Sequence, residues 1–182
     1  MRAESALGVL LLLASAIAGG CRAGGGGTAA DTAEAPAPPQ CPGVGSAVDV
    51  GGTALSVKLV SVSWYRSIGQ GAQAANAREG EAFCLLELEW IPSAGGGAEA
   101  LPAVRLAAGD VTFDGDDAAR SAFLAMQAEG RYRVGLPLAG PAREVRVFLV
   151  PVEAAAAGLR LQVEAAGGRD RTEFCLARTV VR

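Results

Sequence analysis

Four cysteines, a string of aspartates and a pair of glutamates are the side chains of this 182-residue chain that could do chemistry. Cys21, Cys41, Cys84 and Cys175 are too scattered for a zinc knuckle and contain no CxxC pair of the kind redox centres use. Histidine is absent, which removes Ser-His-Asp and Cys-His catalysis and every histidine-bearing zinc site. Glu87 and Glu89 stand two apart, so on a strand their carboxylates share a face, as a paired acid and base would require. A charged solvent face opposite a buried one is the simpler reading and the preferred one. Asp110, Asp114, Asp116 and Asp117 could offer oxygens to Ca²⁺, but the string lacks the EF-hand spacing and its distal glutamate. A hairpin turn followed by a helix cap accounts for them without a metal. No cofactor is implied, and a non-enzymatic protein is expected.

Charge narrows the partners. Sixteen Lys+Arg against 19 Asp+Glu leave a net charge of −3, with both signs interspersed. There is no basic stripe for nucleic acid and no polybasic cluster for anionic headgroups. Anchoring to a membrane therefore falls to the N-terminus. Arg2 precedes an apolar run over residues 7–17, too short to span a bilayer, and small residues Ala18-Gly19-Gly20 lead into Cys21. Residues 1–20 read as an export signal peptide. The Ile17-Ala18-Gly19-Gly20-Cys21 ending resembles the lipobox of bacterial lipoproteins, which implies a diacylated Cys21 as the first mature residue. Ordinary secretory cleavage at the same small residues is the alternative. Each buried acyl methylene contributes about 0.8 kcal/mol, so two chains make a stable anchor. Arg22 is compatible with onward sorting to an outer membrane in a host that has one.

Residues 21–47 then read as the lipidated cysteine and a Gly/Ala/Pro-rich linker, with too little apolar surface to offset the entropy of ordering it. If Cys21 carries lipid, an odd number of cysteines remains in a compartment where disulfides persist. One bridge and one free thiol is the simplest solution. Cys84 shares the parity of Leu86, Leu88 and Trp90 and reads as an inert buried thiol. Pairing Cys41 with Cys175 would staple the entry of the domain to its exit and is preferred; Cys84 with Cys175, or three unpaired thiols, stay open.

The elements that must position these groups are strands. Leu55, Val57 and Leu59 alternate with polar residues in a segment that runs on to Trp64, and residues 84–90, 131–138, 143–150, 159–164 and 172–181 read in the same way. Gly51-Gly52, Gly95-Gly96-Gly97, Asp114-Gly115-Asp116, Gly140-Pro141 and Gly167-Gly168 punctuate them as turns. Residues 117–129 break the pattern with an acidic N-cap, helix formers and Gly130 as a stop, which predicts one short helix whose Phe123, Leu124 and Met126 cover one end of a sandwich. The other alanines reflect composition bias rather than helix. Residues 48–182 thus form one all-β, immunoglobulin-like antiparallel β-sandwich with one short helix.

Residues 48–53 (V-D-V-G-G-T) followed by a β-rich run to Trp64, then residues 79–90 (E-G-E-A-F-C-L-L-E-L-E-W), resemble the start of a telokin-like domain. Asp114-Gly115-Asp116 and residues 147–151 (V-F-L-V-P) resemble its mid-domain turn and its late strand ending in proline. The resemblance implies an immunoglobulin-type domain of unknown function found in bacterial lipoproteins and conveys no activity. Ile91-Pro92-Ser93 stands where that family has an asparagine. For a partner surface, Trp64 reads as a core cap, while Tyr65 with Arg66 is the place to look. The expected role is a membrane-anchored binding or structural module of the cell envelope, with another envelope protein as partner. A small-molecule or Ca²⁺-binding accessory lipoprotein of a transporter or sensor is the alternative.

Overall fold

Alternating side chains commit the domain to strands in the computed structural model, which describes residues 41–94, 100–132, 134–165, 168 and 170–176. In chain order these are β1 (Ala47–Val50), β2 (Leu55–Tyr65), β3 (Ser67–Ile68), β4 (Ala75–Asn76), β5 (Glu81–Pro92), β6 (Ala103–Ala108), β7 (Val111–Phe113), helix α1 (Asp117–Leu124), β8 (Ala142–Pro151), helix α2 (Val152–Ala157), β9 (Arg160–Glu164) and β10 (Arg171–Cys175). Sheet one has the order β1-β2-β5-β8 and sheet two the order β10-β9-β6-β7, every pairing antiparallel. The fold is a β-sandwich.

Its core is made by one face of each sheet. Val57 and Leu59 of β2, Cys84, Leu86, Leu88 and Trp90 of β5 and Phe148 and Val150 of β8 meet Leu106, Leu161, Val163 and Phe174 of sheet two. β2 changes parity on the way. The register shifts between Leu59 and Ser61, so Val60 is an extra residue, and Val62 and Trp64 take over the inward positions from Leu59. The adjacent apolar pair Leu59-Val60 is where period-two alternation slips in the sequence.

The opposite face of sheet one is not left to solvent. Phe83 and Leu85 of β5 and Val145 and Val147 of β8 form a second apolar cluster under Ile68 of β3 and Ala119 and Ala122 of α1, with Phe123 and Leu124 packed beside it. Sheet one is therefore the middle of three layers, and α1 lies on its outer face rather than over one end of the sandwich. Phe123 and Leu124 pack there, while Met126 is exposed. β5 is buried on both faces, which is why residues 82–88 read as an almost unbroken apolar run. Gly69 permits the close fit of the β3 turn, because a Cβ on its positive-φ backbone would sit 3.0 Å from the Gln73 carbonyl oxygen and 3.1 Å from Ala122 Cβ.

α1 starts where its cap was expected. The Asp116 carboxylate accepts the Ala119 N–H at 2.9 Å, an interaction that contributes about 1 kcal/mol. It stops five residues short of Glu129, because Met126 and Gln127 donate to the carbonyls of Phe123 and Leu124, three-residue steps that tighten and end the last turn. The helix also closes the outer edge of β8. Arg120 Nε donates to the Val145 carbonyl at 2.9 Å, Asp116 N–H donates to the Val147 carbonyl at 2.7 Å, and Gly115 bridges to Phe148.

Three further segments depart from the expected pattern. The described residues of 131–138 make no strand; Gly130, Gly135 and Pro137 interrupt them, and Leu138 is buried in the core with Val134 half-buried against it. A second helix, α2, uses alanines that composition bias was expected to explain: Pro151 precedes it, Glu153 sits in its first turn and Gly158 at φ 104° ends it. Asp114-Gly115-Asp116 is not a hairpin but the crossing from β7 to the edge of β8. The fold also begins earlier than Val48. Pro42 accepts the Cys175 N–H at 2.9 Å and Gly45 donates to Leu59 at 2.7 Å, so residues 41–46, assigned to the linker, lie on the domain. The signal peptide, Cys21 and residues 22–40, like the Gly95-Gly96-Gly97 turn, Gly167 and residues 177–181 of the last expected strand, lie outside the described residues.

Candidate functional site

Glu87 and Glu89 do share a face, as strand geometry requires, but it is not a solvent face. Glu87 is buried and Glu89 half-buried. Arg143 of β8 serves both: its Nη1 lies 3.1 Å from Glu87 Oε1 and its Nε 3.9 Å from Glu89 Oε1, while the Ser61 hydroxyl donates to Glu87 Oε2 at 3.3 Å. Arg143 and Ser61 tie the two carboxylates to their neighbouring strands, so the pair forms an ionic seam across β2, β5 and β8. The aspartates do not converge. Asp110 sits in the β6–β7 turn, Asp114 is exposed and 3.9 Å from Arg105 Nε, Asp116 caps α1 and Asp117 lies in its first turn. β7 separates Asp110 from Asp114 by about 13 Å of extended chain. Among the described residues no three His, Cys, Asp or Glu side chains form a group that could hold a metal ion.

Cys41 and Cys175 are joined by a disulfide with a Cα–Cα distance of 5.5 Å, and Cys84 is a free, buried thiol. Burial pushes the Cys84 thiol up to about 12, so it stays protonated and unreactive in the fold. In the unfolded chain the thiol ionises around its ordinary value of 9.0. Stability due to its burial is thus fully present below pH 9 and falls as pH rises towards 12. A maleimide reagent at pH 7 should label Cys84 only in denaturant; labelling of the native protein at the rate of a free thiol would contradict its burial.

Tyr65 ends β2 at 39% exposure, opposite Phe83, with exposed Arg66 beside it. Arg66 is fixed through its backbone, its carbonyl accepting the Ala77 N–H at 2.9 Å. Trp64 packs against the core, with its buried Nε1 lacking a hydrogen-bond partner. Tyr132 lies between this region and the Glu87 seam. Burial, then the nearby Glu87 carboxylate, raises its phenol, and Tyr65 and Arg143 also act on it. Its ring packs 5.9 Å from that of Phe123, and the Arg131 guanidinium lies over it at 5.1 Å.

Two features escaped the sequence. Glu144, at 4% exposure, faces inward on β8, accepting from Trp90 Nε1 at 2.9 Å and pairing with Arg146 Nη2 at 2.8 Å. Its even spacing with Arg146 and Phe148 in residues 144–148 was the available signal, masked by reading charged positions as outward. The other is a cavity of about 460 Å³ between the β6–β7 hairpin and α2, walled by Ala108, Val111 and Phe113 on one side and Pro151, Ala154 and Ala157 on the other. Glu153 is its one charged lining residue. It depends on α2, which periodicity did not reveal.

No protein-family model and no curated protein sequence matches the chain. Among solved structures, a conserved hypothetical protein from Bacillus anthracis is similar with a TM-score of 0.58 and 16% identity over 74% of this chain and 96% of that one, a likeness of fold alone. An uncharacterised β-sandwich protein from Clostridium difficile is similar at a TM-score of 0.43 and 9% identity, over 73% of this chain and 89% of that one. A provisionally designated lipoprotein of Bacillus subtilis is similar at 0.44 and 12%, over 71% of this chain, which spans 37% of that protein.

Proposed function

We propose that this protein is an exported, lipid-anchored module of the cell envelope, immunoglobulin-like and of the telokin-like class, that binds another envelope protein and carries out no turnover. Anchoring rests on the sequence: a leader over residues 1–20 and Cys21 in a lipobox-like setting place the β-sandwich in the periplasm or outside the cell, on the cell membrane or the outer membrane. Mass measurement of the mature N-terminus should find a diacylated Cys21. An unmodified Cys21 would remove the anchor and return that thiol to the disulfide count.

The observation that carries the binding role is the unequal cover on sheet one. α1 and the β3–β4 ladder bury the apolar part of its outer face, whereas Tyr65 and Arg66 stay open at the end of β2. Tyrosine and arginine are, with tryptophan, enriched among interface hot spots: tyrosine covers much area with few rotatable bonds, and arginine offers a charged, planar set of donors. Cross-linking the anchored protein in its own envelope should recover a partner whose yield falls about tenfold in Tyr65→Ala/Arg66→Glu, the loss expected from one hot-spot anchor. Equal yield at equal abundance would take these residues out of the interface. The cavity beside α2 is the one observation that favours the small-molecule accessory reading, and its lining is apolar rather than the ring of carboxylates a Ca²⁺ site needs.

A further inference from the structure

We infer that the cavity between the β6–β7 hairpin and α2 is a binding site for a small organic cation, an amine carried on an apolar body. The cavity lies on the seam between the two sheets. Their edge strands meet where Gly115 bridges to Phe148 and Asp116 N–H donates to the Val147 carbonyl at 2.7 Å. Beyond that point β8 runs on to Pro151 and turns into α2, whereas β7 keeps to β6, so the two edges part and leave about 460 Å³ between them. Sites for small ligands commonly occupy about 300–1,000 Å³. Both walls are held from behind. Val152 N–H donates to the Gly80 carbonyl at 2.8 Å, which fixes the start of α2 beside the head of β5, and Val111 and Phe113 are in register with Ala108 and Leu106 of β6. The shape is therefore in place before a ligand arrives.

The lining sets the chemistry of the ligand. Apart from Gly109 and Glu153, every lining residue is apolar, which calls for an apolar body whose removal from water drives entry. Val111 belongs to the inner face of sheet two by its register with Ala108, yet it stays 58% exposed, so the cavity keeps apolar surface that folding leaves wet. Charge decides the polar end. Glu153 is on the lining, and Asp110 stands in the hairpin turn between lining residues Gly109 and Val111. Neither carboxylate takes part in an ion pair among the described residues. Arg105 and Arg160, which flank the site in sequence, are engaged by Glu164 and Glu173 on the outer face of sheet two. Two carboxylates beside an apolar cavity repel a fatty acid or other anion and attract an ammonium group. Phe113 adds an aromatic ring to the wall, a surface that cations favour. The site deepens the small-molecule reading and shares no residue with Tyr65 and Arg66, so it stands or falls separately from the partner role.

Methyl NMR on the full chain, labelled at Ala and Val and titrated with phenethylamine, neutral phenethyl alcohol and anionic hydrocinnamate, tests it. The amine should shift the methyls of Ala108, Val111, Ala154 and Ala157 and bind about fivefold more tightly than the alcohol, the upper end for a charge pair that water reaches, with the anion weakest. Glu153→Gln/Asp110→Asn changes two exposed side chains and should bring the amine down to the affinity of the alcohol while leaving the alcohol as it was. Ala154→Leu, which fills the cavity, should weaken both together. No shift at these methyls up to the solubility limit of the amine would overturn the inference. So would an alcohol or anion that binds as tightly as the amine, or a preference for the amine that survives the double variant.

Discussion

Replacing both Cys41 and Cys175 by serine should lower the free energy of unfolding by about 5 kcal/mol. The bridge closes a loop with a sequence separation of 134 residues. Cross-linking so long a loop removes conformational entropy from the unfolded chain equivalent to about 5 kcal/mol. Domains of this size are stable by only about 5–15 kcal/mol in all, so the loss takes away a third or more of the margin. The native contacts at the bridge also depend on it. Pro42 reaches the Cys175 N–H because Cys41 is held there, and the Thr172 hydroxyl donates to the Asp49 carbonyl at 3.1 Å across the same seam between β10 and β1. Urea unfolding of the double serine variant, and of the wild type under reductant, should give the same lowered midpoint. A shift worth less than about 1 kcal/mol in both would mean that the entry segment is held by its backbone contacts and the loop-entropy account fails. The position of the bridge bears on the proposed anchoring. Force passing from a lipidated Cys21 along the linker would enter the fold at Cys41 and be shared at once with β10, instead of peeling residues 42–46 from the edge of β2.

What the sequence made legible was governed by period two. β2, β5, β8 and β9 stand out because their inward residues alternate cleanly, and even the bulge at Val60 leaves a trace in two adjacent apolar residues. The expected solvent face at Glu87 and Glu89 failed for a tertiary reason. α1 and Tyr132 arrive from 30 or more positions downstream to cover sheet one, and no local pattern in β5 announces them. α2 was hidden by composition: in a chain rich in alanine, four consecutive alanines carry little information, and the signals lay in their flanks, Pro151, Glu153 and Gly158. β7 is only three residues long, too short for alternation to register. The site residues divide likewise. Cysteine parity led to the Cys41–Cys175 pair, but the cavity is assembled from a hairpin and a helix some forty positions apart, and neither alone points to it.

Glu144 makes the second large effect. Its carboxylate faces into the sandwich, where Trp90 Nε1, fully buried, has no other acceptor, and where Arg146 and Arg120 lie at 2.8 and 3.8 Å. Glu144→Leu leaves an indole N–H unsatisfied and two guanidiniums without their counter-charge. Breaking a buried pair by removing one partner costs about 3–5 kcal/mol. The side chains of Arg146 and Arg120 remain 29% and 30% exposed, so water recovers part of that, and about 3 kcal/mol is expected. Arg146→Met should cost less, since Arg146 Nε is already buried without a partner and a methionine fills much of the same volume. Combining the two should restore part of the stability lost in Glu144→Leu alone, because the nearer of the two stranded charges, Arg146, is gone and only Arg120 remains. Urea unfolding of the three variants measures the coupling, and strictly additive losses would show that Glu144 acts through Trp90 and not through Arg146. The outcome matters for α1 as well. Arg120 touches Glu144 with Nη2 and the Val145 carbonyl with Nε, so the carboxylate that satisfies Trp90 inside the sandwich also helps fix the helix that closes the edge of β8. Losing it should loosen the helix first, since the Arg120–Glu144 ion pair ties α1 to the inner face of the strand it covers.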